Sequence, residues 1–237
     1  MTGSTLLAWL VHSYTACGAL IAFACILRIE QNDFRSLFGL MWLAVVIDAS
    51  DGTLARAVRV KERIPWFDGD RLEDIIDYAN YVIVPGLFMV HAHLLPEQDA
   101  FWIVALPLIA SAYGFCQREA KTPDHFFLGF PSYWNLVAFY LYVMQTPRWV
   151  NGFTIIILSL LVFVPIKYVY PSRSPLLRAM TNSFGALWGI AIVLIIYSLP
   201  EPPRALIFAS LAFPAYYTLL SFWLEYRRLH SQISASR

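Results

Sequence analysis

Long apolar runs broken by short polar, proline-bearing segments set the organisation of this chain. A bilayer-spanning helix needs about 20 mostly apolar residues, within a range of about 17–25. Eight runs are candidates: Leu7–Leu27, Leu37–Val58, Leu72–Leu94, Ala100–Gln117, Tyr133–Gln145, Phe153–Tyr170, Ser183–Leu199 and Ala205–Tyr226. The fifth is the shortest. Segments such as Leu95-Pro96-Glu97-Gln98-Asp99 and Pro200-Glu201-Pro202-Pro203-Arg204 separate them. The pattern predicts an all-α protein, a polytopic membrane bundle of about eight transmembrane helices. No linker, repeat or low-complexity stretch divides the chain, so residues 1–237 are read as a single integral-membrane domain.

Composition agrees with lipid as the solvent. Charged residues make up 14% of the chain, where a soluble domain carries about a quarter, and the mean hydropathy is +0.58. Basic residues then orient the bundle, because basic loops stay cytoplasmic. With both termini inside, thirteen of the 17 Lys and Arg residues fall on cytoplasmic segments. Only Arg28, Arg35, Arg148 and Arg204 fall opposite. Eight spans with both termini cytoplasmic is the expectation. Cys17, Cys25 and Cys116 lie inside apolar runs without metal spacing, so no disulfide framework is implied. No small-residue cleavage site follows the first apolar run, so a cleavable signal peptide is not expected. A net charge of +1 gives no reason to expect a nucleic-acid partner.

The second and third runs carry the anomaly. Between residues 48 and 77 stand Asp48, Asp51, Asp68, Asp70, Glu73, Asp74 and Asp77, with Arg56, Arg59, Lys61, Glu62, Arg63 and Arg71 among them. A charge at membrane depth costs at least about 2.5–3.5 kcal/mol, so four carboxylates would cost on the order of 10 kcal/mol without neutralisation. A divalent cation neutralises them. Asp48 and Asp51 are three apart, and Glu73 and Asp77 four apart, so each pair shares a helix face. Two such helices facing each other make an all-oxygen cage, the donor set that Mg²⁺ or Mn²⁺ prefers. Without His or Cys nearby, zinc is disfavoured. Gly52 and Gly69 allow a ligand close to the backbone. Arg56 suits a phosphate. Together these point to phosphoryl transfer.

The run Asp48-Ala-Ser-Asp51-Gly52-Thr-Leu-Ala55-Arg56, followed by Gly69-Asp-Arg-Leu-Glu73-Asp-Ile-Ile-Asp77, resembles the signature of the CDP-alcohol phosphotransferase family, D-x2-D-G-x2-A-R, a spacer, then G-x3-D-x3-D. Seven of the eight signature identities are present. The spacer has twelve residues, where most of the family has about eight, and Glu73 stands at the third aspartate position. The longer spacer, His12-Ser-Tyr-Thr-Ala-Cys-Gly18 and His125-Phe-Phe-Leu-Gly-Phe-Pro-Ser-Tyr-Trp-Asn135 are similar to the bacterial phosphatidylcholine synthase branch.

The resemblance implies a reaction: CDP-diacylglycerol and choline giving phosphatidylcholine and CMP, with Mn²⁺ or Mg²⁺, two ions, as cofactor. It places Asp48, Asp51, Glu73 and Asp77 on the metals, with Asp77 also the general base, and Gly52, Ala55 and Gly69 around the cytidine. Asp74 is the alternative third ligand, though the four-residue spacing to Asp77 favours Glu73. The resemblance further implies a homodimer in a bacterial inner membrane, with the site facing the cytoplasm. Choline's quaternary ammonium calls for aromatic faces. Trp66, Tyr78, Tyr133 and Trp134, with Asn135 beside them, are the candidates by nearness to the motif or the resembling segment.

Blander readings stand beside these. The acidic residues could form an ion-pair network with Arg56, Arg59, Lys61 and Arg63, although their helical spacing favours ligation. Asp70 and Asp74 fit a solvated helix start, and Asp68 fits a cap ahead of Gly69. Trp9, Trp42, Trp102, Trp149 and Trp223 fit an interfacial belt. Serine, inositol phosphate and glycerol phosphate are alternative acceptors, but an anionic acceptor would want a Lys or Arg cluster. A cation-coupled transporter would show inverted repeats or broken helices, and neither is seen in the sequence.

Overall fold

In the computed structural model, residues 3–117, 126–169 and 178–235 are described. His125, Arg118, Lys121, Tyr170 and Arg173 lie outside them. Helices α1 (Gly3–Glu30) and α2 (Phe34–Val58) pack along each other as a hairpin. Its turn uses Asn32 at φ 56, a conformation asparagine tolerates better than most residues. Asp33 then caps α2 by accepting from the Ser36 N–H at 3.2 Å.

Arg59 ends α2 in a left-handed conformation, its N–H reaching the Ala55 and Arg56 carbonyls. A single turn, α3 (Val60–Arg63), follows. Val60 and Ile64 are buried with Ala8 and Val11 of α1, and Trp9 and Phe67 pack against them. That small core holds the twelve-residue spacer against α1 and delivers the chain to Gly69. Asp68 caps the next helix as the sequence predicts, accepting from the Arg71 N–H at 3.0 Å.

The third apolar run is helical but divided: α4 (Gly69–Tyr78), a π-helical turn (Ala79–Ile83) and α5 (Val84–His91). Pro85 sits just beyond the turn and has no N–H to give the carbonyl four residues back. The Val84 N–H instead reaches the Ala79 carbonyl. Then come α6 (Ala100–Cys116), β1 (Phe126–Leu128), α7 (Trp134–Val143), α8 (Arg148–Leu161), β2 (Lys167–Val169), α9 (Arg178–Tyr197), α10 (Arg204–Ser210) and α11 (Ala212–Ala235).

The all-α expectation needs one correction. Strands β1 and β2 pair antiparallel, Phe127 opposite Tyr168. Both are short and rich in aromatic or β-branched residues, and each lies beside a helix breaker, Gly129 or Pro165. The sixth run therefore leaves helical structure at Leu161 rather than continuing to Tyr170. The eighth run is broken at Leu211 into α10 and α11, with Pro214 in the first turn of α11, where a missing N–H costs little.

Four helical stretches among the described residues are long and apolar enough to cross a membrane: Thr5–Glu30, Phe34–Val58, Met180–Tyr197 and Arg204–Arg227. Ala100–Cys116, Trp134–Val143 and Arg148–Leu161 are apolar but shorter. The centre of the bundle is aromatic. Phe34, Phe38, Phe88, Phe139 and Tyr142 meet edge-to-face or tilted, with ring centroids 5.0–5.6 Å apart. Large apolar side chains such as Leu20 and Phe23 of α1 point outward, 70% and 62% exposed. In water so much exposed apolar surface would mark an interaction site; around helices of this length it suits contact with lipid.

Candidate active site

Helix α1 packs against both α2 and α4 and so brings their acidic residues together. Carboxylate oxygens of Asp48, Glu73 and Asp77, one from each residue, lie within 4.8 Å of one another. All three residues are partly buried. Three of the four carboxylates that the three- and four-residue spacings place on facing stripes are in this group. Glu73, not Asp74, joins the group. Asp70 lies on the outer surface, paired with Lys61 at 2.6 Å.

Asp51 is held just beside this trio. It is 5% exposed, and its Oδ2 accepts from the Thr15 hydroxyl at 2.8 Å. On the other carboxylate of α2, Asp48 Oδ2 accepts from the Tyr81 hydroxyl at 3.0 Å. Donors from α1 and from the π-helical turn thus orient both α2 carboxylates. Asp48, Asp51 and Asp77 line a small cavity of about 10 Å³ with Thr15, Gly18, Asn80 and Tyr81. That is room for a single water molecule or ion.

The donor set around this space is oxygen throughout, carboxylates above all, and no Lys or Arg lines the cavity. Several carboxylates gathered without a cation would repel one another and resist burial. An all-oxygen set of this charge fits Mg²⁺ or Mn²⁺.

The α1 helix reaches the site by close approach. A Cβ on Gly18 would stand 2.4 Å from Ile76 Cγ2 of α4. A Cβ on Gly69 would stand 2.6 Å from His12 Cε1. The His12 ring is itself confined, 4.5 Å from Phe67 and 6.0 Å from Trp9 between ring centroids. Gly69 thus has an imidazole over it at the entrance to α4. On α2, the exposed Arg56 guanidinium folds back over Gly52, with Nη2 donating to Thr53 Oγ1 at 2.9 Å. Ala55 is half-buried one residue earlier.

The aromatic candidates scatter. Trp66 is 73% exposed on the spacer. Tyr78 donates its hydroxyl to the Leu108 carbonyl at 2.9 Å. Trp134 is fully buried, its indole N–H donating to Ser111 Oγ at 2.7 Å, and Asn135 is buried next to it. Tyr133 belongs to a different neighbourhood. Its ring lies 6.4 Å from that of Tyr217, which stacks at 6.5 Å on Tyr168.

Sequence reading missed Thr15, Asn80, Tyr81, Tyr168 and Tyr217. Asn80 and Tyr81 were within reach of it, because they follow Asp77 by three and four residues and share its face. Thr15 lies inside the His12–Gly18 run but gave no chemical signal of its own. Tyr168 and Tyr217 are more than 85 residues from the motif in sequence, and only the β1–β2 ribbon and the packing of α11 on it bring them in.

No family model matches the chain. Several whole proteins do. A phosphatidylcholine synthase of Legionella pneumophila is 42% identical over 226 residues, covering 92% of this chain and 89% of the relative. One from Legionella bozemanae is 40% identical, over 88% of this chain and 99% of its own length. One from Borreliella burgdorferi is 36% identical, over 94% and 96%. With that identity spread from end to end, and the acidic signature folded into one cluster, this chain belongs to the bacterial phosphatidylcholine synthase family.

Proposed function

We propose that this protein transfers a phosphatidyl group from CDP-diacylglycerol to choline, giving phosphatidylcholine and CMP. The observation that carries this reading is the convergence of Asp48, Glu73 and Asp77 from two neighbouring helices, in a chain whose relatives bear that enzyme's name. Asp48, Asp51, Glu73 and Asp77 are the residues to hold Mn²⁺ or Mg²⁺. Bound there, such ions would neutralise the diphosphate and the CMP leaving group.

The chain's own groups do the rest. Asp77 takes the proton from the choline hydroxyl as that oxygen attacks, in line, the phosphorus bearing diacylglycerol, and the bond to CMP breaks. Thr15 and Tyr81 keep Asp51 and Asp48 from rotating away. Arg56 binds phosphate by exchanging its contact with Thr53. Gly52, Ala55 and Gly69 border the cytidine.

Choline is recognised by aromatic faces, each contributing roughly 0.5–2 kcal/mol. Tyr133, with Tyr217 and Tyr168 beside it and Tyr81 leading to the carboxylates, is the group best placed for this. Trp134 and Asn135 follow Tyr133 in sequence and are buried, while Trp66 is exposed and Tyr78 is bonded to the Leu108 carbonyl.

The membrane arrangement belongs to the same reading: about eight spans, counting the shorter apolar helices and the divided 69–91 segment, and both termini cytoplasmic. The site then faces the cytoplasm of a bacterial inner membrane, and the unit is a homodimer. Purified protein with CDP-diacylglycerol and Mn²⁺ should form labelled lipid from labelled choline. It should form none from serine, inositol phosphate or glycerol phosphate. Conversion of serine alone would overturn the choice of acceptor.

A further inference from the structure

Asn80 is buried beside the acidic cluster, and neither the transfer reaction nor the acidic signature gives it a role. It is 4% exposed and lines the 10 Å³ cavity with Asp48, Asp51 and Asp77. Its amide nitrogen donates to two backbone carbonyls, those of Gly18 on α1 and Ile76 on α4, each at 3.0 Å. Carbonyls only accept, so the amide cannot be turned round: Nδ2 belongs to them, and Oδ1 is the atom left over. That oxygen is buried and has no hydrogen-bond partner. A buried acceptor left unsatisfied is costly and calls for an explanation.

The surroundings narrow what could satisfy it. The two nearby hydroxyl donors are already committed, Thr15 to Asp51 and Tyr81 to Asp48. The other polar side chains of the cavity are carboxylates, which make it negatively charged. An anion or a phosphate would be repelled here. The space takes one small body. A single cation would satisfy the orphaned carbonyl and the carboxylates together, and neutral carbonyl oxygen is a ligand that Mg²⁺ and Mn²⁺ accept. Asn80 also lies on the right side of its helix, one turn beyond Asp77, in a π-helical turn of the kind often found at functional sites.

We propose that Asn80 Oδ1 is a neutral ligand at the floor of the cation site, completing the carboxylate set from α2 and α4. The proposal rests on the metal-binding reading above and extends it by one residue. Its two hydrogen bonds to α1 and α4 give the amide a fixed aim, so cation binding is coupled to the packing of those helices.

The test needs no substrate. Mn²⁺ is titrated into the purified full chain in detergent, and free Mn²⁺ is read from its EPR signal. Asn80→Ala should weaken Mn²⁺ binding by about tenfold or more. Asn80→Asp keeps an oxygen at the same place but cannot donate to the Gly18 and Ile76 carbonyls. It should bind Mn²⁺ at least as tightly as the parent. Equal affinity in the parent and Asn80→Ala would overturn the ligand role and leave the metal site standing. If Asn80→Asp binds tenfold more weakly than the parent, the side chain is only an anchor and the proposal fails; this variant decides the matter alone if Asn80→Ala does not fold. A parent chain that binds no Mn²⁺ would overturn both the proposal and the reading beneath it.

Discussion

At the scale of single residues, the site is a set of carboxylates whose orientation is fixed by neutral hydroxyls. Thr15 and Tyr81 donate to Asp51 and Asp48 without supplying charge, so the negative potential of the cluster is kept. A Lys or Arg in either place would neutralise the cluster from within. Asp77 has the other task. Replacing it with asparagine preserves shape but would remove the base of the proposed reaction, and general bases contribute about 10²–10⁴-fold. Asp77→Asn should therefore lower turnover by at least about a hundredfold while CMP binding, measured by calorimetry, stays close to the parent. Near-normal turnover would remove Asp77 from the base role.

At the scale of elements, the decisive contact is that of α1 with α4, and it runs through a glycine. Alanine at Gly18 would place its methyl 2.4 Å from Ile76 Cγ2, on a β-branched side chain that cannot swing aside freely. Overpacking of this kind costs about 1–3 kcal/mol. Gly18→Ala should lower the thermal midpoint and the activity together. Adding Ile76→Ala should restore part of both, and no recovery in the double variant would rule out this contact as the cause. The α1–α2 turn supplies a second element-level prediction. The Asp33 carboxyl is held below its ordinary 3.8 chiefly by its hydrogen bond to Ser36, with Arg28 and Arg35 adding weaker attraction. A group lowered in the folded state stabilises above its unfolded value, and that stabilisation is lost as pH falls through the folded one. Asp33→Ala should cost about 1 kcal/mol near neutral pH, as for other helix caps. The gap from the parent should close on acidification below about pH 4 in chemical-denaturation curves; a gap independent of pH would show that the charge of the cap is irrelevant.

At the scale of the whole molecule, the arrangement in the membrane is set by where the cations fall. With the eight spans proposed above, thirteen basic residues fall on one side against Arg28, Arg35, Arg148 and Arg204 on the other, which favours both termini inside by the positive-inside rule. Fusions at either end should then be fluorescent with a green fluorescent protein and inactive with alkaline phosphatase, which folds only after export. Active phosphatase at the C-terminus would mean an odd number of spans.

How much of this was legible beforehand follows from the range of each interaction. Helical spacing is local, so Asp48, Glu73 and Asp77 could be placed on facing stripes from the sequence, and the Asp68 cap could be read from one residue and its neighbours. Glu73 over Asp74 as the third acidic position was likewise favoured by spacing, and Glu73 is the residue the fold brings into the group. The β1–β2 ribbon was not legible. Three-residue strands beside long apolar runs carry too little pattern to stand out, and their pairing joins residues about 40 apart. The break at Leu211 and the π-helical turn at Ala79–Ile83 were also hidden, because hydropathy averages over such local changes in hydrogen-bond register. Of the choline candidates named by nearness in sequence, Tyr133 has an aromatic neighbour in Tyr217 and Trp134 is turned into the core, environments that nearness in sequence does not encode.

The sequence alone determined the solvent, the acidic stripes and the family resemblance, because each depends on composition or on spacing within one or two helices. Only the tertiary structure decided which donors hold Asp48 and Asp51, which tyrosines gather round Tyr133, and that Asn80, beside the cavity, has a buried side-chain oxygen without a hydrogen-bond partner. Those facts depend on contacts between segments far apart in the chain, and such contacts are fixed by packing, not by any local period.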